Sequence, residues 1–409
     1  MKYLLFGALV TFATLSLGQL TDDTFAEGNA YNEDVSRKIN LGAEGVVEIA
    51  SDITFKTFKG VGYEPYYYVI PADSYEGHLI SISAFITNTQ EEVAVKRVQV
   101  AEIKNAEAKA AIAEKNASDL VVFKLVLPTS ENKAIVRVSV KELYKRRKEP
   151  FPHKISIRED MSLRFVDSKY YISVYPTKSQ KVQINHSSPV VQFFTPDATV
   201  EKKQKFIKYG PFKNIEALSF SELMVHYRHS KPLPIFQDVK KTIEVSHWGN
   251  ILVDEYYEIF NEAAGIKGEF GRVDYQQWDQ NRAQYAIKSL QTSLPRYIRG
   301  LYYWDYIGNI SSSNALRNDD QVSFRIEPRF PVMGQWKTDW SQGYNIPTRH
   351  HLFRNKDDGR YVFNYTFDHD FDSVVAENFT LKVILPEGAT NIKVCFGGLM
   401  ILGTHPVRG

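Results

Sequence analysis

Val136, Val138 and Val140 alternate with Arg137, Ser139 and Lys141, and this period of two returns along much of the chain. Successive side chains on a strand point to opposite faces, so such a run reads as a strand with one face buried and one wet. Val322, Phe324 and Ile326 make a second run, ended by Pro328. Phe379, Leu381, Val383 and Leu385 make another, closed by the turn residues Pro386, Glu387 and Gly388. Leu120 to Leu127 is more continuously apolar and stops at Pro128. Aromatic residues at 13%, with 24 Tyr and 25 Phe, suit sheets whose cores are large side chains. The expected class is mainly β: two tandem β-sandwich-like units with a few short helices.

Helical signal is sparse. Val100 to Ala117 is rich in Ala, Glu and Lys, good helix formers, but its apolar stripe is thin, so a surface or partly ordered helix is expected. Gln276 to Leu290 is expected to form a second short helix. Pro232 and Pro234 interrupt the patterning between His229 and Lys240. They place a boundary between a first unit, Gln19 to about 230, and a second from about 235 to 409. Phe123–Val138 and Phe379–Val394 share a strand, a Leu-Pro turn and a second strand, an echo that two related units would explain.

The N-terminus opens on Lys2 and an uncharged apolar run from Tyr3 to Leu17, with small Ser16 and Gly18 before Gln19. That pattern predicts a cleaved signal peptide over residues 1–18 and entry into the secretory pathway. One cysteine, Cys395, makes neither an internal disulfide nor a cysteine-built zinc cluster. The stretch Val394–Val407 is too short and too broken by glycine and proline to span a bilayer. Fifty basic against 48 acidic side chains give no concentrated basic field for nucleic acid.

Lys241 to Glu255 (KTIEVSHWGNILVDE) reads as a hairpin, with Gly249-Asn250 in the turn. Its tip carries His247 and Trp248, expected to pack against a neighbouring domain or subunit rather than to catalyse. Neither the helical His-Glu-x-x-His pattern nor a Gly-x-Ser-x-Gly elbow nor a phosphate-cradling Gly-x-x-x-x-Gly-Lys loop is present. Asp368, Asp370 and Asp372 alternate, so a strand would set three carboxylates on one face, where a divalent cation fits. The competing reading, a solvated face, is preferred. Asn116, Asn185, Asn309, Asn364 and Asn378 each begin an Asn-x-Ser/Thr acceptor. Asn309 follows a turn-like Ile307-Gly308 and is the expected glycosylation site, with the other four less favoured.

A set of ordered blocks carries a resemblance. TIEVSHWGN (Thr242–Asn250) is joined by SRKINL (Ser36–Leu41), YPTKSQ (Tyr175–Gln180) and YGPF (Tyr209–Phe212). KGEFGRVDYQ (Lys267–Gln276), IGNIS (Ile307–Ser311), RFPVMGQWKTDWSQGYNIP (Arg329–Pro347) and LPEGATNI (Leu385–Ile392) follow in order. Together they resemble the ribophorin I family, the first subunit of the oligosaccharyltransferase complex. The resemblance implies a non-catalytic part, without cofactor or metal, in a complex that transfers a preassembled glycan from dolichyl diphosphate to Asn-x-Ser/Thr. It implies two β-rich domains on the luminal side of the endoplasmic reticulum. The implied partners are the other subunits, the catalytic one included, the translocon and nascent polypeptides. Asn309 matches the family's Ile-Gly-Asn-x-Ser glycosylation site. Past about residue 393 the chain diverges from the family, whose sequence is expected to continue to a membrane helix. YYWDYIGN (Tyr302–Asn309) is similar to the acceptor-recognition motif of the catalytic subunit. Tyr303 replaces the first Trp and Ile307 separates Tyr306 from Gly308, so it reads as an aromatic strand feeding a turn.

Overall fold

The computed structural model describes residues 25, 30–42, 45–56, 65–103, 105–114, 119–127, 135–188, 190–277, 284–310, 314–357, 359–366, 368–371, 374–396 and 399–400. Strands dominate, as the period-two patterning predicts.

One eight-stranded sheet carries the first half. Its four central strands, Thr177–Asn185, Tyr31–Asn40, Val46–Lys56 and Ile135–Lys145, lie in that order. The pair Tyr31–Asn40 and Thr177–Asn185 is parallel; the other pairings in this sheet are antiparallel. The inward face is read directly from the alternation. Ile53, Phe55, Val138 and Val140 lie in a core capped by the three-stranded sheet of Tyr66–Pro71, Leu120–Leu125 and Val95–Val98. Further along the same strands, Val47, Ile49, Tyr144, Val182 and Ile184 lie in a second core with the strands Ser162–Ser168 and Glu222–Arg228.

A buried polar seam separates these two cores. Arg37 pairs with Asp167 at 2.9 Å, and Tyr68 donates to Glu142 Oε1 at 2.9 Å. Burial raises the Glu142 carboxyl against the opposing pull of Arg37. Charges on an inward face need such partners, because an unpaired buried charge costs several kcal/mol.

The second core draws on both sides of the stretch His229–Lys240. Leu233, Ala263, Ala264, Tyr285, Ala286 and Met333 join it, and Lys154–Ile155 pairs in parallel with Gly265–Ile266. At the same junction Lys145 meets Glu377 at 2.6 Å, and Arg146 bridges Glu262 and Glu377.

A six-stranded sheet forms the frame of the second half, with Lys337–Pro347, Asn250–Asn261 and Pro234–Val245 at its centre. Val375–Ile384 pairs in parallel with Pro234–Val245 and lies at one end of the sheet; Arg299–Asp305 and Gly308–Asn309 form the other. A three-stranded sheet that includes Leu290–Pro295 and Gln321–Ile326 covers its inner face, enclosing a third core around Trp340, Tyr257 and Phe236.

Both helix expectations need correction. The first helix is shorter, Ala106–Glu114, after a 3-10 turn at Val100–Glu102. It lies at the surface, as its thin stripe predicts: Lys109, Ala110 and Ala113 are exposed, Ala108 and Ile112 are fully buried in the first core, and Asn105 caps it by accepting from the Ala108 amide. The second helix is Arg272–Gln277 rather than a run to Leu290. Tyr285, Ala286 and Ile287 are consecutively buried, and Ile287 bridges Val332, so extended backbone wins there. The echoed segments also part company. Leu120–Leu125 and Ile135–Lys145 belong to different sheets, and residues 389–394 form no strand, so a common Leu-Pro turn accounts for the likeness.

Candidate functional site

The hairpin at Lys241–Glu255 forms as its pattern predicts. Val245 pairs with Ile251, the Ser246 amide bonds to the Asn250 carbonyl at 2.8 Å, and Gly249 takes φ +81°. That conformation suits glycine. The tip is braced from behind, where the Thr348 amide donates to the Gly249 carbonyl at 3.1 Å. Trp248 projects from it with 95% of its surface exposed, and His247 is exposed beside it. Packing of this Trp on another part of the same chain is therefore corrected. Both flanking strands are anchored by their sheet, so the tip holds its side chains out rather than in.

At Asp370 the acidic run is neither the cation site weighed above nor the solvated face preferred to it, because a buried lysine claims the carboxylate. Residues 368–371 form no strand, and Asp372 lies outside the described residues. Asp370 turns towards the sheet, where Lys241 Nζ contacts its Oδ1 at 2.9 Å and Glu255 Oε1 at 2.7 Å. Lys241 also donates to the Asp368 carbonyl at 3.1 Å. The network closes through Tyr257 and Gln342, which donate to Glu255 Oε2 at 3.0 and 2.9 Å, and Tyr344, which donates to Asp370 Oδ2 at 3.0 Å. Tyr257 stacks on Trp340, sealing the cluster from water. Burial pushes Glu255 up to about 7, Asp370 adds to the push and Lys241 opposes it. Burial alone would lower the Lys241 ammonium, but the two carboxylates hold it raised. With Lys241 occupying the centre, the site is a filled ion cluster; among the described residues no group of His, Cys, Asp and Glu has the geometry to hold a metal.

Sequence reasoning missed this cluster, although a signal was there. Lys241 falls between Val239 and Ile243, and Glu255 between Val253 and Tyr257, all on the inward rows. Charges at inward positions on neighbouring strands predict a buried pair.

Tyr302–Asn309 forms an aromatic strand and its turn, as read from sequence. Tyr303 and Asp305 face inward, while Trp304 faces out and lies opposite Asn309. The Asp305 carboxylate accepts from the Ile307 and Gly308 amides at 2.9 and 3.1 Å. Arg329 grips the same carboxylate through Nε and Nη2, and also donates to the Gly308 carbonyl. The Arg329 guanidinium holds the Asp305 carboxyl below its usual value. We predict that Asp305→Ala speeds amide exchange at Ile307 and Gly308 about tenfold or more, the equivalent of one lost charged hydrogen bond. Unchanged exchange would show that Arg329 alone holds the turn.

The acceptor asparagines differ in setting. Asn309 is exposed at the end of this turn, and Asn364 is exposed after the strand Tyr361–Phe363. Asn378 is exposed too, against the expectation from its apolar strand, but its amide donates to the Gln237 carbonyl at 3.2 Å. Asn185 is half-buried, and its oxygen accepts from Gln183. Asn116 lies outside the described residues.

A family model described as Ribophorin I matches residues 30–396. The chain belongs to the Ribophorin I family. Curated relatives agree. Dolichyl-diphosphooligosaccharide–protein glycosyltransferase subunit 1 of Caenorhabditis elegans is 33% identical over 373 residues, covering 90% of this chain and 61% of the relative. Subunit 1A of Arabidopsis thaliana is 34% identical over 246 residues, covering 60% of this chain and 40% of the relative. The chain thus spans between 40% and 61% of the length of these relatives. Among solved structures, an aminopeptidase N family protein from Idiomarina loihiensis is similar over 52% of this chain and 31% of its own, at 10% identity and a TM-score of 0.26. A likeness that weak carries no argument. No described helix of this Ribophorin I family member is long and apolar enough to cross a membrane.

Proposed function

We propose that the chain acts as a non-catalytic subunit of an oligosaccharyltransferase complex. That complex transfers a preassembled glycan from dolichyl diphosphate to Asn-x-Ser/Thr of nascent polypeptides. The observation that carries this reading is the family match across residues 30–396, continuous through the three cores rather than confined to one motif. The relatives' own name, a dolichyl-diphosphooligosaccharide–protein glycosyltransferase subunit, supplies the complex. The chain works on the luminal side of the endoplasmic reticulum, as two β-rich units meeting near residues 230–235, with Asn309 as its main glycosylated residue. Its part is assembly and the presentation of acceptor polypeptide beside the catalytic subunit and the translocon.

Trp248 and His247 are the contact we assign to a neighbouring subunit. A tryptophan held out by a braced hairpin has already lost much of the freedom that binding would otherwise cost, the setting in which one side chain dominates an interface. Trp248→Ala should leave thermal stability unchanged, since the side chain packs on nothing in its own chain. It should weaken capture of the catalytic subunit from digitonin-solubilised microsomes by about thirtyfold, the scale of a 2 kcal/mol anchor. Recovery of the catalytic subunit and transfer activity with the wild-type chain tests the function itself. A folded wild-type chain that brings down neither would overturn it. Full capture by Trp248→Ala would overturn only the contact.

A further inference from the structure

The geometry points to a carbohydrate platform on the outer face of the six-stranded sheet, with Trp304 as the seat for the first N-acetylglucosamine of a glycan on Asn309. The inference rests on the luminal reading above and goes beyond it, from a modified residue to a bound position for the sugar.

Three observations converge. First, Trp304 and Asn309 are register partners across the short hairpin, so their side chains leave the same face with Cβ atoms about 5 Å apart. Second, Trp304 is 44% exposed, and among the described residues no ring or cation is stacked on it. Third, the turn is rigid where the sugar would attach. Arg329 Nη2 donates to the Gly308 and Asn309 carbonyls at 3.0 and 3.3 Å, and Asp305 caps the turn from within. The Asn309 side-chain amide itself has no protein partner among the described residues, unlike that of Asn378.

A pyranose ring has an apolar C–H face and a rim of hydroxyls. The indole offers the apolar surface such a face needs, and the polar sheet around it suits the rim. The platform continues across the sheet. Ser341 is the register partner of both Trp304 and Tyr256, which puts the two rings about 10 Å apart on one face, with Lys240 Nζ lying 5.3 Å from the Tyr256 ring centre. Tyr302 lies over Gly343, where a Cβ would stand 2.3 Å from its hydroxyl, and donates to Asp254 at 2.6 Å. Gly343 thus leaves room for the Tyr302 ring to lie flat on the sheet beside Trp304. An attached glycan is always within reach of this face, so ordering it costs little association entropy.

The test uses the full chain made in a eukaryotic secretory host, with glycopeptide mapping and hydroxyl-radical footprinting. Ser311→Ala removes the acceptor sequence while leaving Asn309 and Trp304 in place. Trp304 should oxidise several-fold more slowly in the glycosylated wild type than in Ser311→Ala. Trp248, fully exposed and far along the chain, should oxidise at the same rate in both and serves as the internal reference. Enzymatic removal of the glycan from folded wild type gives the same comparison without a substitution. Equal Trp304 rates, or an unmodified Asn309 with glycans at other acceptors, would overturn the platform alone. Glycans at no acceptor would overturn the luminal reading with it.

Discussion

Lys241→Ala is expected to destabilise the third core by about 3–5 kcal/mol, the cost of stranding buried charge without its partner. Lys241 and Glu255 are both essentially inaccessible, and the Asp370 side chain is 15% exposed. Removing the ammonium leaves the Asp370 carboxylate beside the Glu255 carboxyl among Tyr257, Trp340 and Phe371, with no cation to offset its charge. The segment around Asp370 loses its anchor as well, because Lys241 holds both the Asp370 side chain and the Asp368 carbonyl. Denaturant unfolding followed by tryptophan fluorescence reads the effect, since Trp340 lies against the cluster. A loss below about 1 kcal/mol, the scale of an exposed pair, would mean that water enters the site.

The same cluster sets a pH dependence. Glu255 is held up to about 7 in the folded protein, against an unfolded value near 4.3. Between those values the folded state keeps a proton that the unfolded state has released. Stability from this group is therefore full below about pH 4.3 and is lost as pH rises through about 7. Glu255→Gln carries no such proton, so the stability difference between wild type and variant should change across this window. A constant difference would show that Glu255 stays ionised throughout.

Gly334→Ala is the second large effect. A Cβ there would stand 1.9 Å from the Ala264 carbonyl oxygen and 2.6 Å from that of Ala263. Both obstacles are backbone, and Ala263 and Ala264 are fully buried in the second core. The methyl can be accommodated only by lifting this segment, so a loss of about 3 kcal/mol or more is expected. The damage should spread beyond the Gly265–Gly334 bridge, because Ala263 and Ala264 connect the six-stranded half to the eight-stranded one. Limited proteolysis between residues 229 and 240 should accelerate in the variant while the Val136–Val140 strand stays protected. A variant as resistant as wild type would show that the junction has room the glycine does not reveal.

Much of this architecture was legible from single residues. Val138 and Val140, or Phe324 and Ile326, alternate because one face meets a core, and they point where the period says. The Gly249 turn was legible for the same local reason. What escaped was set by distance in sequence. The partition of one long sheet between two cores depends on Arg37, Asp167 and Glu142 meeting, and no local pattern announces that. Gln276–Leu290 failed because good helix formers were overruled by the burial of Tyr285 and Ile287. In the acidic run, three alternating aspartates suggested a shared face, yet Asp370 was claimed by a lysine more than a hundred residues earlier. The exposure of Trp248 was out of reach for a related reason: a hairpin tip can be read from sequence, but not what lies over it.

The parallel pairings within the two largest sheets bear on the order in which the chain can be completed. Asn32 lies beside Thr177 and Ile235 beside Val375, so each sheet joins an early strand to one that emerges much later. At synthesis rates of about 5–20 residues per second, the first strand waits roughly 7–30 s for its neighbour. During that interval Val35 and Ile39, both destined for full burial, have one flank open. Each of these early strands is thus delivered long before it is enclosed, and a newborn chain must be shielded through that wait if it is to reach the folded state in good yield.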